Sequence, residues 1–254
     1  MNRSSRTAAA AVLTAAAILA GAWPAGGASA AGGAPAARDR VLWGEVTIPP
    51  GRDGVVEAAG LTGPALGAGS TLTLTAPAGA RATGVPLDDP GYRGAVAADG
   101  RSAVYTAVSA ERPWRAGTFP FVLAVPADAV PGTRLDGCAL RLADAAGTVR
   151  AAGGCQVTVG LEEPALTRPE SGVPLGARPV IAGTAHPGAR ITVSDKDGRE
   201  VCAGTAGADG RWSCAPGSAL PDGPNRLQAT AALNGVSAPS EQIQITVGDA
   251  APAR

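Results

Sequence analysis

The chain has 254 residues, 21 of them basic and 21 acidic, and is built from small side chains: 36 glycines, 22 prolines and 3% aromatic residues. Zero net charge excludes the basic field of a nucleic-acid binder. Hydrophobic residues at 45% and charged ones at 17% exclude a disordered chain, and one histidine with four cysteines leaves little room for metal or nucleophile–base chemistry.

In chain order, the first feature is a secretory signal. Arg3 and Arg6 form a positive start, Ala8 to Ala22 is an uncharged apolar run, and Ala28, Ser29 and Ala30 give a small-x-small cleavage pattern. The spacing predicts a signal peptide over 1–30, removed on export, and a small-residue leader over 31–39. No second long apolar run follows and the sequence ends without a hydrophobic tail, so the expectation is a protein released or held at the wall non-covalently.

Strand patterns begin at Val41 to Ile48, which stops at Pro49-Pro50. Thr71 to Thr75 alternates strictly, with Leu72 and Leu74 on one face. Ala103 to Val108, Phe119 to Val125, Cys138 to Leu142 and Gln156 to Val159 follow, punctuated by turns at Asp89-Pro90-Gly91, Ala98-Asp99-Gly100 and Pro131-Gly132. No stretch after the signal shows a helical apolar period, and short strands between Gly, Pro and Asp turns predict a β-sandwich over 40–160. Gly160 to Gly172 is polar and broken by prolines, as an inter-domain connection or an edge segment is. Strands resume at Pro179 to Gly183, Ala189 to Val193, Arg199 to Gly204, Arg211 to Cys214, Asn225 to Leu233 and Glu241 to Val247. Their turns are Asp197-Gly198, Asp209-Gly210, Asp222-Gly223 and Asn234-Gly235. That density of strands predicts a second sandwich over 161–248 and a short tail over 249–254.

Cys138, Cys155, Cys202 and Cys214 all follow the signal. An even count in an oxidising compartment predicts two disulfides. Four cysteines allow three pairings, and hairpin geometry favours the local ones. Cys202 and Cys214 flank the turn at Ala208-Asp209-Gly210, and Cys138 and Cys155 flank Asp144 to Gly147. Cysteines facing each other across an antiparallel hairpin meet disulfide spacing.

From about Glu162 to Val247 the sequence resembles bacterial immunoglobulin-like domains of secreted and wall-associated proteins. The residues that carry this are Ile181 to Gly188 with its Gly-Thr-Ala-x-Pro-Gly turn, the strand Ala189 to Asp195, and the Asp-Gly-x-Trp hairpin Gly207 to Cys214. Ala219 to Gly223 and the strand Asn225 to Leu233 complete the pattern. The resemblance implies an immunoglobulin-like fold, a core role for Trp212, and a stalk, adhesive or ligand-presenting role. Residues 40–160 more loosely resemble surface-protein sandwich modules, on Thr75 to Gly79 and Val125 to Thr133.

The candidate sites are few. His186 sits in a turn and has no nucleophile or second histidine to work with. Ser194 to Gly198 is similar to part of a calcium loop through Asp195 and Asp197 but has no bidentate glutamate at its end, and reads as a hairpin turn. Asp88-Asp89 and Glu162-Glu163 lie beside prolines and read as turn and linker groups, not as a hydrolytic pair. The aromatic residues are the remaining signal. Tyr92, Tyr105, Trp114, Phe119 and Phe121 concentrate in the first sandwich, with Trp43 near its start. Trp114, in Arg112-Pro113-Trp114-Arg115, is the best exposed candidate, and Trp43 and Tyr92 are its companions as ligand contacts.

The sequence therefore predicts an all-β chain: two tandem β-sandwich domains, the second immunoglobulin-like, after a cleaved signal peptide. The expected function is non-catalytic and extracellular, structural, adhesive or ligand-presenting at the cell surface. The alternative is a polysaccharide- or cell-wall-binding module using the first-domain aromatics, and a secreted hydrolase is a distant third. No cofactor and no metal are expected. The expected partners are cell-wall polysaccharide or an extracellular protein, with neither nucleic acid nor membrane contact after signal removal, and the expected state is a monomer.

Overall fold

The computed structural model describes residues 41–111, 114 and 117–248. The expected signal peptide over 1–30, the leader over 31–39, Arg112, Pro113 and Arg115, and the tail over 249–254 lie outside the described residues. Among those described there are nineteen β-strands and no α-helix. Their side chains gather into two hydrophobic cores, one ending at Val159 and the other opening at Leu161.

The first core lies between two sheets. The larger is built from β1 (Val41–Ile48), β3 (Thr71–Thr75), β5 (Tyr92–Val96), β6 (Ser102–Ala107), β9 (Ala139–Ala143) and β10 (Val149–Val159), in the order β1-β10-β9-β3-β6-β5, with the short β8 (Arg134–Leu135) also on β10. The smaller has the order β2-β7-β4, from β2 (Asp53–Ala58), β4 (Arg81–Gly84) and β7 (Phe119–Ala124). Period-2 alternation sends Leu42, Leu72, Leu74, Tyr105, Leu140 and Leu142 inward from one sheet to meet Val56, Phe119, Phe121 and Leu123 from the other. β1 runs parallel to β10, in register from Val41↔Ala152 to Ile48↔Val159; the other pairings in these two sheets are antiparallel.

The second core is also enclosed by two sheets. One has the order β12-β19-β17-β14-β15, from β12 (Pro174–Leu175), β14 (Arg190–Ser194), β15 (Glu200–Thr205), β17 (Gly223–Leu233) and β19 (Ile243–Val247), with β18 (Val236–Pro239) also on β17. The other has the order β11-β13-β16, from β11 (Ala165–Arg168), β13 (Ile181–Thr184) and β16 (Arg211–Cys214). Gly160 to Gly172, read from sequence as a connection or an edge, contains the edge strand β11. Ile191, Val193, Leu227, Ala229 and Ile245 meet Ile181 and Trp212 across the gap.

Cys138 is bonded to Cys155 (Cα–Cα 5.1 Å) and Cys202 to Cys214 (Cα–Cα 5.9 Å). The first bridge staples the β9–β10 hairpin, whose turn closes with Gly147 N–H donating to Asp144 O at 2.9 Å. The second differs from the expected flat hairpin. β15 and β16 belong to different sheets, because the chain changes sheet at the Gly207–Gly210 turn, so this disulfide ties the two sheets together at their edges.

Where the cores adjoin, the turn at Pro131-Gly132 meets the β17–β18 turn at Asn234-Gly235. Asn234 Nδ2–H donates to Pro131 O at 3.0 Å. Asn234 takes a left-handed backbone (φ 49) and Gly132 another (φ 86). A Cβ on Gly132 would lie 2.6 Å from Asn234 Cβ, so glycine is what lets these turns touch.

Candidate functional site

The described aromatic side chains divide into six that fill cores and one that does not. Tyr92, Tyr105, Trp114, Phe119 and Phe121 form a continuous cluster at the end of the first sandwich where β5 and β7 begin, with neighbouring ring centroids 4.9–5.4 Å apart. Trp114 is 1% exposed and its Nε1–H donates to Ser70 Oγ at 3.0 Å, while Ser70 Oγ donates to Gly67 O. Tyr105 Oη donates to Pro120 O at 2.6 Å; burial pushes its phenol above the ordinary value, and the N–H of Leu87 on the same oxygen partly offsets this. Trp114 and Tyr92 therefore lie in the core and not on the surface where the sequence reading placed them. Flanking charge and proline mark Trp114 as exposed in the sequence, but its indole is buried, where a scarce large ring removes much apolar area from water.

Trp43 is the exception, at 58% exposed. It stands on β1, whose alternation turns Leu42 and Ile48 inward and Val41, Trp43, Glu45 and Thr47 outward. The backbone of Trp43 is held on both sides: it is in register with Gly154 on β10, and it exchanges N–H···O bonds with Ala59 at 3.2 and 2.8 Å. The ring is thus mounted on a fixed strand, not on a loop.

Around it is the outer face of the larger sheet. The row through Trp43 continues to Gly154, Ala139, Thr75 and Ser102; the neighbouring row runs Val41, Ala152, Arg141, Thr73 and Val104. On the other side of Trp43, Glu45 faces Gln156, whose Nε2–H donates to Glu45 Oε1 at 3.4 Å. Along these rows the surface is mostly glycine, alanine, threonine and serine, with Val41 and Val104 as its aliphatic groups, and it bears one indole, one guanidinium and one carboxylate–amide pair.

The other candidates resolve into structural roles. Trp212 packs in the second core against the backbone of Gly183, where a Cβ would lie 2.7 Å from its ring. Its buried Nε1 has no hydrogen-bond partner among the described residues. Asp195 Oδ1 accepts the N–H groups of Asp197 (2.8 Å) and Arg199 (2.9 Å), which makes Ser194 to Gly198 an Asx-closed hairpin turn. Asp197 pairs with Lys196 Nζ at 2.9 Å, and that hydrogen bond, against a smaller desolvation, holds its carboxyl below the ordinary value. His186 is half-buried and lines a cavity of about 490 Å³ together with Arg52, Asp128 and Glu162. Asp89 Oδ1 caps its own turn by accepting Gly91 N–H at 2.7 Å, and Glu162 and Glu163 are exposed. Among the described residues no three His, Cys, Asp or Glu groups converge as a metal site would require.

These features define an all-β scaffold, two disulfide-tied sandwiches with one exposed ring among the described aromatic residues. Residues 176–249 match the family model of the bacterial Ig domain, and the second sandwich is a bacterial immunoglobulin-like domain. Comparison with curated proteins finds no match. Among solved structures, the chain is similar to the BSP domain of a biofilm-associated protein at 16% identity and TM-score 0.30, over 83% of this chain and 30% of that one. It is also similar to the C-terminal domain of the AgI/II polypeptide BspA of Streptococcus agalactiae, at 12% identity and TM-score 0.28, over 80% and 95% of the two chains. Murine CEACAM1b is a third, at 11% identity and TM-score 0.27, over 82% and 98%.

Proposed function

We propose that this is a secreted, non-catalytic protein with a structural, adhesive or ligand-presenting role at the cell surface. In this reading a signal peptide over 1–30 and a leader over 31–39 precede a β-sandwich domain over 40–160 and a bacterial immunoglobulin-like domain over 161–248. The observation that carries it is the bacterial Ig domain match over 176–249. Two disulfides support it, since such bonds persist in oxidising compartments. The titratable groups have structural places in this reading: His186 lies in a turn, Asp89 caps its own turn, and Glu162 and Glu163 are exposed.

The test is fractionation of the producing cells. The expected result is protein in the medium or the wall fraction, beginning near Ala31, with no cysteine alkylated before reduction. Cytosolic protein that retains residues 1–30 and free thiols would overturn the reading.

A further inference from the structure

We propose that the outer face of the larger sheet, with Trp43 at its edge, binds an extended polysaccharide of β-linked pyranose units, the indole stacking on the apolar C–H face of one sugar ring. The proposal rests on the extracellular reading above and names a ligand for it.

Three observations carry it. The first is the exposure of Trp43 itself. In a chain with so few aromatic residues, the other six described are all buried, yet this one is held rigidly in water from both sides of its backbone. A stacking residue gains from such pre-orientation, because little freedom is left to lose on binding.

The second is the company it keeps. A surface for a folded protein partner has several large apolar anchors at its centre. Here the neighbours of the indole on the sheet are Gly154, Ala139, Ala152, Thr73, Thr75 and Ser102, with the exposed Val41 beside it on its own strand and Val104 further along the row, so the large apolar groups are one ring and small aliphatic side chains. They leave a level floor that suits a flat, ribbon-like chain and offers hydroxyl groups for hydrogen bonds.

The third is polar placement. Glu45 and Gln156 lie two residues along the strands from Trp43, about 7 Å away, and together offer acceptors and a donor. Arg141 lies on the other side of the ring, one row back and two strands across, exposed and without a salt bridge among those described. An indole between a carboxylate–amide pair and a guanidinium can stack on one sugar and hydrogen-bond the hydroxyls of its neighbours. The mixed charge on this face, with the chain neutral overall, argues against nucleic acid as the occupant.

The test uses the full chain lacking residues 1–30 and three insoluble probes: cellulose, chitin and peptidoglycan. The expected result is retention on at least one, weakened about tenfold or more by Trp43→Ala, the scale of losing one ring stack, and weakened less by Arg141→Ala. With cellohexaose or chitohexaose as soluble probe, tryptophan emission should shift in the parent chain and not in Trp43→Ala, since Trp114 and Trp212 are buried. Retention on none of the three probes overturns the proposal. So does retention that Trp43→Ala leaves unchanged, or a Trp43-dependent dimer in sedimentation. None of these outcomes moves the protein from one cell fraction to another, so the extracellular reading stands or falls on fractionation alone.

Discussion

Replacing Trp114 and Trp43 by alanine tests the division between core and surface, because the residue type is the same and the surroundings are opposite. Trp114→Ala removes a ring that is 1% exposed, two ring contacts at 4.9 Å and a hydrogen bond to Ser70 Oγ at 3.0 Å. At ~25 cal/mol per Å² over ~200 Å² of ring, the transfer contribution is about 5 kcal/mol, and measured truncations of this kind fall at about 3–5 kcal/mol. Trp43→Ala, at 58% exposed, should stay within about 0.5 kcal/mol. In urea, with a slope near ~2 kcal/mol per M, the Trp114 change should lower the midpoint of the first-sandwich transition by about 1.5–2.5 M, and the Trp43 change by about 0.25 M or less. Trp212 lies in the other core and serves as an internal reference. Trp114→Phe separates the components: Ser70 Oγ keeps its bond to Gly67 O, so losing the indole N–H should cost only about 1 kcal/mol. Equal destabilisation by the two alanine variants, or a Trp114→Ala shift below about 0.5 M, would refute the assignment.

Other outcomes follow from the same coordinates. Replacing both Cys202 and Cys214 by serine should destabilise the immunoglobulin-like sandwich by about 3 kcal/mol, the entropy of opening a 12-residue loop, while leaving the first transition in place; calorimetry of the two transitions checks it. Gly132→Val should disturb the contact with Asn234 while both cores stay folded, read as weakened amide protection at Asn234 and a broadened distance distribution between spin labels on the two sandwiches. Desolvation raises the Asp144 carboxyl, but the Thr148 N–H, Arg150 and the Ala146 N–H together outweigh it and hold the pKa below the ordinary value. A depressed carboxylate contributes stability above its unfolded value and loses it as pH falls through its folded one. The Ala146 and Thr148 amides should therefore exchange faster only at pH values below the ordinary aspartate range. Faster exchange on raising the pH through neutrality, beyond the intrinsic base dependence, would contradict that sign.

Alternation exposed the strands whose inward positions hold large residues. Val41–Ile48, Thr71–Thr75 and Arg211–Cys214 have the ends read from the sequence. β2, β4 and β5 were not legible, because Gly54, Ala82, Gly94 and Ala95 blunt the hydrophobic contrast that marks a strand. β10 is longer than the Gln156 to Val159 strand read from sequence because Ala151 to Gly154 has no hydrophobic contrast, while the hydrogen-bonded neighbours β1 and β9 hold it extended. The pairing of Cys202 with Cys214 follows from a local turn, but the sheet each strand joins depends on remote partners, β14 for one and β13 for the other. The exposure of the tryptophans runs in the reverse of the expected order, Trp43 outward and Trp114 inward. A lone loop tryptophan carries no periodicity, so nothing near Trp114 announced that it is buried. Trp43 did carry a signal: it shares the Val41, Glu45, Thr47 face of its strand, and the last two of those are polar.

The parallel pairing of β1 with β10 decides how the first sandwich meets a pulling force. Tension applied at Val41 and beyond Val159 draws the two strands along their length in opposite directions, across eight residue pairs. Their hydrogen bonds then share the load and must slip together, whereas an antiparallel pair pulled from one end parts bond by bond. β12 and β19 repeat the parallel geometry in the second sandwich over two pairs. If that sandwich unfolds under load, the Cys202–Cys214 bridge keeps the segment between those residues from paying out, which caps how far the chain can lengthen.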